Sequence, residues 1–154
     1  MKYKFLSAYL LIGGLLYGQL SAQESELKER TEHFPKQSIK ADKLPERHNL
    51  WVFILAGQSN MAGRGFVEPA DTLPDPRILT ITKDKQWILA KEPLHFYEPS
   101  LTGLDCGLSF GREMIKNLPD SVSIALIPCA VGGSKIQQWL GDSVYRNVQL
   151  LRNF

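Results

Sequence analysis

The run Leu50-Trp51-Val52-Phe53-Ile54-Leu55-Ala56, closed by Gly57, decides the fold of this chain. It is continuous, β-branched and aromatic, it lacks the alternation of a half-buried strand, and it is short for a helix. Such a run fits a strand buried on both faces, as in a parallel sheet covered by helices. A second run, Ser123-Ile124-Ala125-Leu126-Ile127, ends at Pro128 and leads to Gly132-Gly133. Between the two, residues 107–118 carry Leu108, Phe110, Met114, Ile115 and Leu118 at helical spacing, and Pro119 stops the helix. Residues 77–87, with Ile78, Leu79, Ile81 and Trp87, read as a hairpin or short strands inserted after the first loop. Residues 136–140 start another helix, and 144–151 read as a further one. The order strand, loop, helix, strand, loop, helix is the grammar of an α/β domain with a parallel sheet.

Upstream of this domain the composition changes. Residues 23–49 are polar and charged, with Pro35 and Pro45, and read as a leader or linker in which 24–32 form a short exposed helix. Residues 1–22 have the layout of a secretory signal peptide: Lys2 and Lys4, an apolar stretch over 5–16, and a small residue, Ala22, at the cleavage point. The apolar stretch is short for a spanning helix, which needs roughly 20 apolar residues; an uncleaved anchor is the alternative. The organisation is therefore signal peptide 1–22, leader 23–49 and domain 50–154, in a protein that is secreted or periplasmic.

Charged residues are 22% and apolar residues 44% of the chain, enough for a soluble domain with its own core. A formal charge of +2 points to neither nucleic acid nor an anionic membrane as partner. Export permits a disulfide between Cys106 and Cys129, and two buried thiols are the alternative. These cysteines and His33, His48 and His95 form no metal-ligand spacing. No metal or organic cofactor is implied.

In open α/β sheets ligands bind beyond the carboxyl ends of the strands. Both apolar runs end in polar, glycine-bearing loops: Gly57-Gln58-Ser59-Asn60-Met61-Ala62-Gly63-Arg64-Gly65 and Cys129-Ala130-Val131-Gly132-Gly133-Ser134. If both strands share one parallel sheet, the loops emerge at the same end. Ser59 lies just past its strand, on a turn where Gly57 allows unusual backbone angles. There a hydroxyl can project outward beside backbone N–H groups, the pairing that acyl transfer requires. The alternative role for Ser59, and equally for Ser134, is helix N-cap. Met61 stands where G-x-S-x-G has its second glycine, so the loop is not the α/β-hydrolase nucleophile elbow. Neither loop fits a phosphate-binding or dinucleotide fingerprint.

The block Ile54-Leu-Ala-Gly-Gln-Ser-Asn-Met-Ala-Gly-Arg-Gly65 resembles the first block of the SGNH (GDSL-like) hydrolases. It is most similar to the branch holding sialate O-acetylesterases and the acetylxylan esterases of carbohydrate esterase family six. Ile127-Pro-Cys-Ala-Val-Gly-Gly-Ser-Lys-Ile-Gln-Gln-Trp139 resembles a second block of that branch, and Pro93-Leu-His95 and Gly107-Leu-Ser-Phe110 also look like it. The resemblance covers roughly 51–152. It implies a three-layer α/β/α sandwich and hydrolysis of O-acetyl esters on carbohydrate. Ser59 matches the family nucleophile and would supply one oxyanion N–H, and Gly132 or Gly133 would supply another. Gln58 and Asn60 would hold the loop by hydrogen bonds. Arg64 reads as a surface residue, with shaping of the substrate pocket as the alternative.

The family pattern continues with a Gln-Gly-Glu segment and, near the C-terminus, an Asp-x-x-His segment carrying the base. Neither occurs before Phe154. His33 and His48 lie in the leader. His48 stands at the start of the first strand, which spans on the order of 20 Å, and Ser59 at its far end. His95 reads as a pocket or structural residue. The expectation is a domain incomplete at its C-terminus, marginally stable and nearly inactive alone. A broad-specificity GDSL-type esterase and a glycan-binding relative without catalysis are the other readings.

Overall fold

A computed structural model describes residues 19–152. The expected signal peptide falls mostly outside them. Within them a helix, α1, occupies 19–31 and crosses the expected cleavage point after Ala22. No helix among the described residues is long and apolar enough to cross a membrane.

The domain centres on a mixed, mostly parallel sheet. The apolar run forms β1 (Leu50–Leu55), followed by the one-turn helix α2 (Ser59–Ala62). Next come β2 (Ile78–Ile81), β3 (Trp87–Leu89), α3 (Gly107–Ile115) and β4 (Ser123–Pro128). The strand order is β1-β4-β2-β3. β4 is parallel to both β1 and β2, and β3 closes the far side antiparallel to β2, which is the inserted hairpin expected over 77–87. The register pairs Leu50 with Ser123 and Leu55 with Pro128. β1 and β4 thus end level, and their loops leave the sheet together.

The core lies between the sheet and α3. Leu55, Ile78, Ala90, Leu94, Leu108, Ile115, Ile124 and Leu126 form one buried cluster, with Phe53, Met61, Met114 and Leu118 against it. Each fully buried Leu or Ile contributes about 1.5–3 kcal/mol. Phe53 of β1 meets Phe110 of α3 edge-on at 4.9 Å. Gly107 and Gly111, one turn apart, let α3 approach closely. A Cβ on Gly107 would come within 2.5 Å of Leu55 Cδ1, and one on Gly111 within 3.2 Å of Ile78 Cγ2. α3 ends at Ile115 rather than 118, and Asn117 and Leu118 donate to the carbonyls three residues back in a tightened last turn.

Three expectations are corrected. β1 is not buried on both faces: Val52 is 55% and Ile54 48% exposed. It sits at the sheet edge, and its outer side chains line an open cavity of about 650 Å³. Residues 136–140 form only a single 3₁₀ turn, Ile136–Trp139. Residues 144–151 are not a helix but the hairpin β5 (Val144–Tyr145) and β6 (Val148–Gln149), then a 3₁₀ turn. Arg146 and Asn147 between these strands have φ of 49° and 63°, the two left-handed residues of a type I′ turn. A second helical layer on the sheet, expected for a three-layer sandwich, is not among the described elements; α3 covers one face.

The leader is docked rather than merely crossing the surface. Arg30 Nη1 donates to the Arg64 carbonyl at 2.7 Å, and its guanidinium lies over the Phe66 ring. Ala41 N–H donates to Trp87 O at 3.1 Å and Leu89 N–H to Ile39 O at 2.9 Å, which ties the leader to β3.

Candidate active site

The two loops that the sequence singles out do converge. Past the level strand ends, Cys129 N–H donates to Leu55 O at 3.1 Å and Val131 N–H to Gly57 O at 3.1 Å. Ser134 Oγ also donates to Gly57 O, at 3.3 Å, and accepts the Trp139 indole N–H at 3.2 Å. Ser134 therefore fastens one loop to the other. It is not a helix cap, since Lys135 holds the cap position of the following turn.

Ser59 is the first residue of α2, and the cap position belongs to Gln58. The half-buried Ser59 makes no hydrogen bond, by N–H or by Oγ, to any other described residue. The N-cap alternative is thereby removed. Gln58 does hold the loop, but through its backbone: its carbonyl accepts from Met61 N–H at 3.0 Å and Ala62 N–H at 2.8 Å. The side chains of Gln58 and Asn60 bond to no described residue. Gly57 adopts φ of 155°.

The second loop separates its glycines. Gly132 donates its N–H to Glu98 Oε2 at 2.6 Å, so this donor is already engaged. Gly133 has φ of 75°, and its N–H has no partner among the described residues. Arg64 is not a free surface residue. Nη2 reaches Glu98 Oε2 at 2.7 Å and Nη1 the Gly63 carbonyl at 2.7 Å. Arg146, from the β5–β6 turn, pairs with the other oxygen of Glu98. Burial pushes the Glu98 carboxyl upward. The Gly132 N–H, Arg64 and Arg146 outweigh that effect and hold it below its ordinary value.

His95 is not placed to be a base. It is 3% exposed, with Nδ1 2.7 Å from Asp105 Oδ2 and Nε2 3.3 Å from the Leu55 carbonyl. Nδ1 faces the Asp105 carboxylate and Nε2 the Leu55 carbonyl, so neither ring nitrogen is open toward a substrate. His95 instead supports the end of β1 from below. Asp105 also accepts from Gly107 N–H at 2.6 Å, at the start of α3. Glu92, fully buried nearby, has its carboxyl pushed up to about 9, by burial first and then by the charge of Asp105. His48 precedes β1 and leans on Glu46 at 3.5 Å, and His33 is exposed in the leader. Cys129 is a buried thiol pushed up to about 12 by burial, and Cys106 is exposed; no disulfide joins them. Glu98, Asp105, Glu92 and Arg146 were not found by sequence reasoning. Only Asp105, two residues before a helix start, carried a recognisable local signal.

The fold is that of an α/β protein in which two glycine-bearing loops are hydrogen-bonded together at the carboxyl end of parallel strands. Residues 49–153 match the family model described as carbohydrate esterase, sialic acid-specific acetylesterase, and the chain belongs to that family. A probable carbohydrate esterase of Arabidopsis thaliana is 37% identical over 115 residues, which cover 63% of this chain and 44% of the plant protein. The X-ray structure of that Arabidopsis protein matches with a TM-score of 0.57 at 32% identity, over 68% of this chain and 49% of its own. The chain thus spans less than half the length of the relatives it matches.

Proposed function

We propose that this chain carries the nucleophile and oxyanion loops of a carbohydrate O-acetylesterase, within a three-layer sandwich of SGNH type. The observation that supports the reading is the joining of the two loops at Gly57 O, two residues before Ser59, by Val131 N–H and Ser134 Oγ, which flank the Gly132-Gly133 turn. Family membership supports the ester-hydrolase class and an acetylated carbohydrate as substrate; the sialate and acetylxylan types are the two substrates to compare.

In this reading Ser59 Oγ attacks the acetyl carbonyl carbon and gives up its proton to a base. The carbonyl oxygen becomes an oxyanion, met by the N–H groups of Ser59 and Gly133, whose donors are unspent. The bond from carbonyl carbon to sugar oxygen then breaks, and the sugar leaves as its hydroxyl. Water attacks the acetyl-enzyme and releases acetate. Both nitrogens of His95 face other partners, which argues against His95 as that base. Export, read from residues 1–22, would bring the protein to extracellular or periplasmic polysaccharide.

Acylation tests this directly. The full chain is incubated with p-nitrophenyl acetate, and the peptide containing Ser59 is examined by mass spectrometry. No base is hydrogen-bonded to Ser59 among the described residues, and water needs a base more than an activated aryl ester does, so deacylation is the slower step and the acetyl group is expected to accumulate on Ser59 and to be absent from Ser59→Ala. Acetylation confined to lysines, and equal in the two proteins, would overturn the reading. Acetylated xylan against O-acetyl sialic acid as donor then separates the two substrate types.

A further inference from the structure

We propose that Glu98 is a positioning residue: its carboxylate clamps the Gly132 turn to Arg64 of the nucleophile loop and leaves Gly133 N–H as that turn's oxyanion donor. The last clause rests on the esterase reading, whereas the clamp does not.

A buried carboxylate is costly unless its lone pairs are met. The Glu98 side chain is only 7% exposed, and both oxygens are engaged. Oε2 takes two donors, Gly132 N–H at 2.6 Å and Arg64 Nη2 at 2.7 Å, and Oε1 takes Arg146. Arg64 and Gly132 each lie 34 residues from Glu98, on the loops that follow β1 and β4. One side chain therefore connects both halves of the site without touching Ser59. The clamp also dictates glycine at 132. A Cβ there would stand 2.6 Å from Glu98 Oε2 and would overlap the Arg64 guanidinium.

The partners are themselves held. Arg64 grips its own loop through Gly63 O, and its carbonyl is held by Arg30 of α1. Arg146 reaches Glu98 from the left-handed first position of the β5–β6 turn. Leader, nucleophile loop, glycine turn and terminal hairpin therefore meet at one carboxylate. A shift of about 1 Å in a reacting group costs on the order of 100-fold in rate, so a clamp on the donor loop acts on catalysis through backbone placement.

The full chain, labelled with ¹⁵N at glycine and serine, provides the test. The Gly132 amide proton should resonate far downfield, as short charge-assisted hydrogen bonds do. Glu98→Gln should move it upfield and move Gly57, Ser59 and Gly133 with it, and Glu98→Asp should restore part of the pattern. Acetylation of Ser59 at saturating ester should slow by about tenfold to 100-fold in Glu98→Gln, with half-saturation changed by less than about threefold. Should Glu98→Gln fail to fold, Arg64→Lys keeps the charge but loses the fork and should move the same resonances. An unmoved Gly132 resonance, or one that moves while Ser59 and Gly133 stay fixed, overturns the clamp. Resonances that move as expected in a chain whose Ser59 accepts no acetyl group would uphold the clamp and overturn the esterase reading.

Discussion

β1 and β4 lie side by side in parallel register, and both are unbroken apolar runs, yet their surroundings differ. In β4, Ile124, Ala125 and Leu126 are fully buried. In β1, Phe53 and Leu55 pack toward α3, whereas Val52 and Ile54 on the opposite face are 55% and 48% exposed, and Trp51 near the strand start is 43% exposed. Among the described residues β4 has a strand on each side and β1 on one only. Strand composition records suitability for burial, whereas sheet position decides how much burial is realised. The consequence is a site with unequal supports. The loop after β4 grows from a rigid interior strand. The loop after β1 depends on polar devices: Gly57 O taking two donors, His95 under Leu55, and the Glu98 clamp.

The comparison predicts its largest effect at Leu126. Truncation to alanine in the fully buried middle of β4 should cost about 2–5 kcal/mol, read as a lowered urea midpoint. A loss below about 1 kcal/mol would mean that β4 is not the packed centre of the sheet.

The sharper test uses pH. Glu92 is buried, with Leu94 N–H 3.3 Å from its Oε2 and the backbone N–H groups of Asp105 and Leu108 also directed at the carboxyl. Its folded value of about 9 lies above the ordinary 4.5. The unfolded chain releases this proton first, so the stabilisation is complete below pH 4.5 and is lost as pH rises toward about 9. The urea midpoint should fall from pH 5 to pH 8 in the wild type and stay flatter in Glu92→Gln. The difference at pH 8 should exceed about 1 kcal/mol, roughly one unit's worth of linkage. Parallel pH curves for the two proteins would place a charged carboxylate, not a neutral one, at this buried position.

The contrast also explains what the sequence could yield. Both strands, the hairpin over 77–87, α3 and the meeting of the two loops follow from local pattern and chain order, because hydrophobic period and strand-end glycines are properties of neighbouring residues. The exposure of Val52 and Ile54 does not follow, since edge position depends on which strands assemble. The hairpin at 144–149 was hidden by a turn without glycine, in which Arg146 and Asn147 both take left-handed angles. The joining of the two glycine-bearing loops was readable from their place after the strands. Glu98 was not: its significance lies in contacts with Arg64 and Gly132, each 34 residues away, and no spacing announces them.

The smallest effect belongs to the outer face of β1. Ile54, 48% exposed beside the open cavity, contributes little to the packed core, so Ile54→Lys should change stability by no more than about 0.5 kcal/mol. It should act on association instead. An unprotected apolar edge strand is a template for pairing with another chain, and a lysine on such a strand is a common guard against it. Light scattering of concentrated protein should therefore show less self-association in Ile54→Lys than in the wild type, with an unchanged urea midpoint. A destabilisation approaching that of Leu126→Ala would erase the contrast between the strands, because it would require Ile54 to be packed as tightly in solution as the centre of β4.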